Sequence, residues 1–374
     1  TTDNIYASLN DAIDAINAAK TTDDSITGGK IILDSDIAMS SGSDTILNTC
    51  TVPLSVVSKD DTAPKTIKLG DSSKKRFLYC STAITFDDVI FKQAGNKNVE
   101  IWSGKSLTIG DNVRFLNNAG AVATINVWSI RCGFNTASTE SVRLELNSGT
   151  LCMVHLGNDK GIGDVEAVIN KGVTVTQFLQ VGGTSTTTTK ISTGNVTASV
   201  NGATIGDLWL CGYGPTPVTS ANISLTDATI KGKIGYNRKG DIPAMTSLSL
   251  SLENTTVAGS LDNMPDVNTS SLTLKNQTGT LKSSLAGWKN IKLVKSIVEL
   301  NTAYAGPTDA SAVSIDANSK LIVPDGTSYP DIDGIQEVTP KIDYVVYINT
   351  NTAGDSTTDN IFATLNEAID AINA

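Results

Sequence analysis

Val142-Arg-Leu-Glu-Leu-Asn-Ser-Gly-Thr-Leu151 is the stretch that decides the fold. Val142, Leu144 and Leu146 fall on one face of an extended segment, with Arg143 and Glu145 on the other. That period of two belongs to a strand and not to a helix. Asn147-Ser-Gly149 then supplies residues that tolerate a sharp bend, and Leu151 resumes the apolar face. The same grammar returns as VEAVINKGVTV from Val165, VTASVNGATI from Val196, ANISLTDATI from Ala221, LSLSLENTTV from Leu248 and SLTLKNQTGTL from Ser271. Aligning the residue that closes each first strand gives Asn147, Asn170, Asn201, Thr226, Glu253 and Lys275, at steps of 23, 31, 25, 27 and 22 residues. A strand–turn–strand unit recurring at such intervals is the signature of a solenoid. The prediction is an all-β solenoid, a right-handed parallel β-helix. At a repeat of about 25 residues it would have roughly a dozen coils.

Stacked turns of this kind place side chains above one another, so Asn147, Asn170, Asn201 and Thr226 are expected to form a structural ladder, amide bonding to amide from coil to coil. Upstream, Leu54-Ser-Val56, Ile84-Thr-Phe86 and Leu107-Thr-Ile109 are the equivalent strands, with Asp87-Asp88 and Asp111-Asn112 at their turns. From Ala121 onward, apolar-Gly pairs (Cys132-Gly133, Leu156-Gly157, Val181-Gly182, Cys211-Gly212, Ile234-Gly235) suggest one recurring inward corner.

The N-terminus is different. Ile5, Leu9, Ile13 and Ile16 recur at helical spacing and predict an amphipathic helix over residues 1–20, with Ser8-Leu-Asn-Asp11 resembling a capping box. An open solenoid exposes core and unpaired strand edges at its first coil, so this helix is expected to cap that end. The β-helix proper would occupy residues 21–340.

The end of the chain repeats its beginning. TTDNIFATLNEAIDAINA (357–374) matches TTDNIYASLNDAIDAINA (1–18) at 15 of 18 positions, with Phe362 for Tyr6, Thr364 for Ser8 and Glu367 for Asp11. The offset is 357 − 1 = 356 residues. Residues 341–374 therefore read as the start of a next tandem copy, and Thr1 as a point inside a longer protein.

Tyr344-Val-Val-Tyr-Ile-Asn-Thr350, Gly354-Asp355 and Phe362-Ala-Thr-Leu-Asn-Glu-Ala-Ile-Asp370 carry a resemblance, as does Gly28-Gly-Lys-Ile-Ile-Leu33. Together they resemble the opening of pectate-lyase-like right-handed β-helix modules, in which a strand, a Gly/Asp-rich loop and a short helix precede a Gly-Gly-led strand. The resemblance implies a tandem module of a large adhesin-like surface protein, extracellular or at the cell surface. Its partners would be neighbouring copies in the same chain and a surface glycan or protein. The alternative within the resemblance is a polysaccharide-active lyase or hydrolase, or its carbohydrate-binding relic. Lyases of that kind use Ca²⁺-binding acids with a basic residue. Hydrolases use paired aspartates beside a Gly-His-Gly and an Arg-x-Lys. Neither grouping is present, so no catalytic, cofactor or metal residue is expected.

Composition agrees. Aromatic residues are 5 % and charged residues 18 % of the chain, which suits a thin aliphatic core. A net charge of −10 argues against nucleic acid, and no apolar run reaches membrane-spanning length. The single histidine, His155, lies between Val154 and Leu156 and is expected on the outer surface. Asp34, Asp36, Asp331 and Asp333 are loop acids expected to be solvated rather than to bind Ca²⁺. Trp102, Trp128, Trp209 and Trp288 offer flat faces for sugar rings, though packing is the simpler expectation. Of five cysteines, Cys132 and Cys211 sit too many coils apart to bridge. Cys50 and Cys80 each lie four residues before equivalent strands, so they either pair or remain buried thiols.

Overall fold

The structure is a computed structural model. It describes residues 5–39, 45–46, 50–69, 76–80, 82–95, 98–122, 128–133, 138–157, 161–183, 193–212, 218–235, 245–262, 267–338, 347–348, 361–362 and 369. The chain winds into a parallel solenoid. One face is a sheet of twelve strands running from Gly29–Leu33 to Val313–Ile315, built by strands far apart in sequence and paired coil to coil. A second face has an eleven-strand path that includes Val99–Ser103, Trp128–Cys132, Gly149–Leu156, Val173–Val181 and Thr204–Trp209. Two four-stranded sheets close the coils at either end, and every paired strand is parallel to its neighbour. The expected roughly dozen coils thus correspond to twelve stacked strands.

Register follows the repeats read from the sequence. Leu54, Ile84, Leu107, Leu144, Ala167, Ala198, Ile223, Leu250, Leu272, Ile291 and Val313 stand opposite one another in unbroken succession. They belong to one continuous buried core. A one-residue slip would turn every one of these side chains to water, so the alternation itself holds the register.

The turn following this column is stabilised by side chains. Asp88, Asn112, Asp227, Asn254 and Asn276 adopt positive φ, the left-handed region that Asn and Asp reach more easily than other residues carrying a side chain. Buried and half-buried hydroxyls bond the freed carbonyls at the same bend. Ser148 Oγ donates to Gly110 O at 2.6 Å, Thr255 Oγ1 to Leu225 O at 3.1 Å, and Ser296 Oγ to Leu274 O at 3.0 Å.

The helix spans Leu9–Thr22. Ser8 is its N-cap, accepting from Asp11 N at 3.1 Å as in a capping box, but Asp11 Oδ2 returns to the Ser8 hydroxyl at 2.8 Å and not to its backbone N–H. Leu9, Ala12 and Ile13 are buried, and Ile16 packs partly against the core. Ile5 departs from the expected helix face. It precedes the cap and is 91 % exposed, because an extended N-cap residue ends the helix before the Ile5 position. A Cβ on Gly29 would lie 2.7 Å from Ile16 Cδ1, so the glycine lets the helix lie directly on the first strand. Asn17 Oδ1 accepts from Thr51 N and Thr51 Oγ1, each at 2.9 Å, tying the helix to the coil above. Most of 341–374, including the second helix motif, lies outside the described residues. Within it, Tyr347–Ile348 and Ile361–Phe362 form a parallel pair.

Candidate functional site

The expected ladder is a hydrogen-bonded column. Asn170 Nδ2 donates to Asn147 Oδ1 at 2.6 Å and Asn201 Nδ2 to Asn170 Oδ1 at 3.2 Å. Asn201 stands opposite Thr226, and Thr226 opposite Glu253. Glu253 ends the row by pairing with Lys275 Nζ at 2.7 Å. The amide ladder therefore joins the three asparagines, while Thr226 shares their row by strand register.

Outside the core the two long faces differ. On the twelve-stranded face, four successive rungs present Asn195, Thr197 and Ser199; Ser220, Asn222 and Ser224; Ser247, Ser249 and Ser251; Thr269, Ser271 and Thr273. All twelve are uncharged, small and at least partly exposed. Together they make an uncharged face of small hydroxyl and amide side chains. Towards the earlier coils it meets a groove of about 520 Å³ containing Lys105, Arg143 and Glu166, where Arg143 Nη1 bonds Glu166 Oε1 at 2.6 Å.

The eleven-stranded face is built from larger groups. Strand pairing sets Trp102, Arg131, His155, Gln180 and Trp209 opposite one another, rung after rung, on the side away from the core. Beside them runs the row Glu100, Ser129, Met153, Phe178 and Asp207. Arg131 Nε bonds Glu100 Oε2 at 3.0 Å, with the two side chains only 14 % and 6 % exposed. Trp102 Nε1 donates to the same oxygen at 3.1 Å, and Arg131 lies 5.7 Å from the centre of the Trp102 ring. Phe178 stacks on Trp209 at 3.7 Å with 13° between planes and meets His155 edge-on at 5.3 Å.

His155 is therefore on the outer side, as its place in the alternation implied, yet it is 2 % exposed rather than a surface residue. Its strand neighbours are large and close over it. Burial, and then the Arg131 charge, hold its imidazole neutral, well below the ordinary 6.5. Gln180 on the next rung acts the other way without completing a hydrogen bond. Both imidazole nitrogens, Gln180 Oε1 and Trp209 Nε1 are buried and have no hydrogen-bond partner. Buried polar groups are almost always bonded. Four unmet atoms on three consecutive rungs are the most unusual chemistry among the described residues.

The remaining residues singled out by sequence are structural. Trp128 points into the core, fully buried, with Nε1 donating to Leu116 O at 2.9 Å, and Trp288 is buried too. Leu156 stands opposite Val181, so Leu156-Gly157 and Val181-Gly182 do share one corner, but Ile234 stands opposite Leu208 and Gly235 opposite Trp209, so Ile234-Gly235 does not. Cys50, Cys132, Cys152 and Cys211 are buried, and Cys50 carries no disulfide, which excludes a Cys50–Cys80 bridge. The Cys80 side chain lies outside the described residues. Burial pushes the Cys132 thiol up to about 12, so it is an inert packing group. Asp36 Oδ1 accepts from Thr66 N at 2.7 Å, Asp34 pairs with Lys59 at 2.7 Å, and Asp331 and Asp333 are exposed. Among the described residues Asp87 is the carboxylate held above its ordinary value, by burial and by the neighbouring Asp88 and Asp111 charges. Among the described residues no three metal-ligating side chains converge, and no helix is long and apolar enough to cross a membrane.

No family model, no curated protein and no solved structure matches this chain. What is established is the class, a parallel β-solenoid closed at its first coil by a helix.

Proposed function

We propose that the chain is a structural and adhesive repeat module of a large extracellular or cell-surface protein, one period of a tandem array of rods. The observation that carries this reading is the duplicated opening motif together with what its two copies do. Ile361 and Phe362 correspond to Ile5 and Tyr6 at an offset of 356 residues (361 − 5 and 362 − 6). The later pair forms a parallel ladder with Tyr347–Ile348. Among the described residues no strand pairs with the earlier one, and Ile5 and Tyr6 are 91 % and 42 % exposed. An exposed isoleucine next to a capping helix is the surface that a strand equivalent to Tyr347–Ile348, supplied by a preceding copy, would cover. Partners on this reading are neighbouring copies of the module and a glycan or protein at the surface.

The test is to join a second copy of residues 341–356 ahead of Thr1. Slower amide exchange at Ile5 and Tyr6 and a raised melting temperature are expected. Two joined periods should scatter as a rod about twice as long as one. Unprotected amides, or a compact side-by-side particle, would refute the array.

A further inference from the structure

We propose that separate copies of this chain join end to end by cap exchange: the helix motif in residues 357–374 of one copy takes the place of the helix Leu9–Thr22 on the first coil of another. Such joining uses the same duplication as the array yet does not require the array, since two unconnected chains suffice.

The helix Leu9–Thr22 meets the first coil through Leu9, Ala12, Ile13, Ile16 and Asn17. All five recur unchanged 356 residues later, from Leu365 to Asn373, so the second motif carries every one of these contact groups. The substitutions, at Tyr6, Ser8 and Asp11, fall outside that set. Burial separates the two copies. Ile13 is completely buried under its coil, whereas its counterpart Ile369, also helical, is 44 % exposed. The same apolar position is covered in one copy and uncovered in the other. What covers it is defined by the first copy: a coil whose Gly29 admits the isoleucine at position 16 and whose Thr51 meets the asparagine at position 17. Exchange of identical contacts would by itself gain nothing. Two features favour the incoming motif. It arrives with a strand, since Ile361–Phe362 pairs with Tyr347–Ile348, whereas Ile5 and Tyr6 stand exposed. Thr364-Leu-Asn-Glu367 also spells the full capping box, the motif in which glutamate answers the N-cap backbone N–H; Asp11 bonds the Ser8 hydroxyl instead. The resident helix is a terminal element, the kind that detaches at least cost. Donor and acceptor are different surfaces, so the contact is heterologous and repeats without closing, which gives a line of chains.

The experiment uses the full chain at physiological ionic strength, followed by light scattering and amide exchange from about 10 μM to about 1 mM. The parent should associate reversibly into longer particles, and exchange at Ile369 should slow as it does. Ile369→Asp should weaken association by about tenfold or more, because a carboxylate would enter the site that Ile13 fills. It should leave the melting temperature of the single chain unchanged, since Ile369 is exposed there. Ile13→Asp should loosen the resident helix and strengthen association by about tenfold, because the acceptor coil is then more often open. Ile369→Asp decides the matter if Ile13→Asp folds poorly. Three results would overturn the proposal: the parent stays monomeric up to about 1 mM, Ile369→Asp associates as tightly as the parent, or Ile369 exchanges slowly in a monomer, which would place the helix on its own chain. None of them bears on the array, which is tested with copies joined in one chain.

Discussion

The two long faces share one inner design and differ in everything turned outward. On four successive rungs of the twelve-stranded face the outward rows are Ser, Thr and Asn, some of which bond along the stack: Ser220 Oγ donates to Asn195 Oδ1 at 2.6 Å and Ser224 Oγ to Ser199 Oγ at 3.3 Å. On the eleven-stranded face the outward rows hold a buried ion pair, two stacked aromatics and a neutral histidine, and four polar atoms there are unmet. Folding constrains only the inner columns, because they alone fill the core. The outer columns are free to differ, and they do so on these two faces.

The largest expected effect tests the shared half of that comparison. Leu144, on the twelve-stranded face, and Ile130, on the eleven-stranded face, are both completely buried. Leu144→Ala and Ile130→Ala should each cost about 2–5 kcal/mol in denaturant unfolding. Costs differing by more than that range would mean that the two faces do not share one core.

The next effect tests the difference. The folded pKa of His155 lies well below the ordinary 6.5. The unfolded chain therefore binds the proton first. Stability is fully present above about pH 6.5 and is lost as pH falls below it, by up to about 1.4 kcal/mol per pH unit for one proton. His155→Leu should flatten this slope between pH 6.5 and 5. It should also stabilise the fold at neutral pH by about 1 kcal/mol, since unmet polar atoms are replaced by an apolar group of similar size. Melting curves across that pH range measure both. A His155→Leu protein that is less stable at pH 7 would show that the imidazole has a bonded partner after all.

Much of this architecture was legible in the sequence because solenoid coils repeat their physics. The alignment of Leu54, Ile84 and Leu107, and of Asn147, Asn170 and Asn201, needed only alternation and turn chemistry, and the strands pair in those registers. Ile5 was misplaced for a readable reason. If Ser8 is the N-cap, Ile5 precedes the helix whatever its spacing from Leu9. The His155 environment was harder to see. The segment from Val175 to Phe178 carries one residue more than Leu151 to Met153 before it and Ile205 to Asp207 after it, and this irregular register sets Gln180 and Trp209 beside His155. That extra residue is not marked by a turn motif, and the aromatic partners lie in the following coils. A run of bulky groups at outward positions, Glu100 and Trp102, then Arg131, then His155, was the available signal.

The smallest expected effect completes the comparison. Ser224 is partly exposed, and its hydroxyl bonds a neighbouring hydroxyl that water can replace. Ser224→Ala removes one bond between neutral groups without burying an unmet partner, because Ser199 stays open to solvent. Alanine also gives up little of the backbone preference for a strand when both neighbours are paired. The cost should therefore stay within about 0.5 kcal/mol, with no dependence on pH between 5 and 8. A hydroxyl-bonded row and an unmet row would then respond oppositely to the loss of a polar group, one almost silent and one gaining stability. If Ser224→Ala instead costs as much as Leu144→Ala, the hydroxyl rows carry the stack as strongly as the core does. Outer residues would then be as constrained as inner ones, and bonding left unmet at His155 would no longer single out one face.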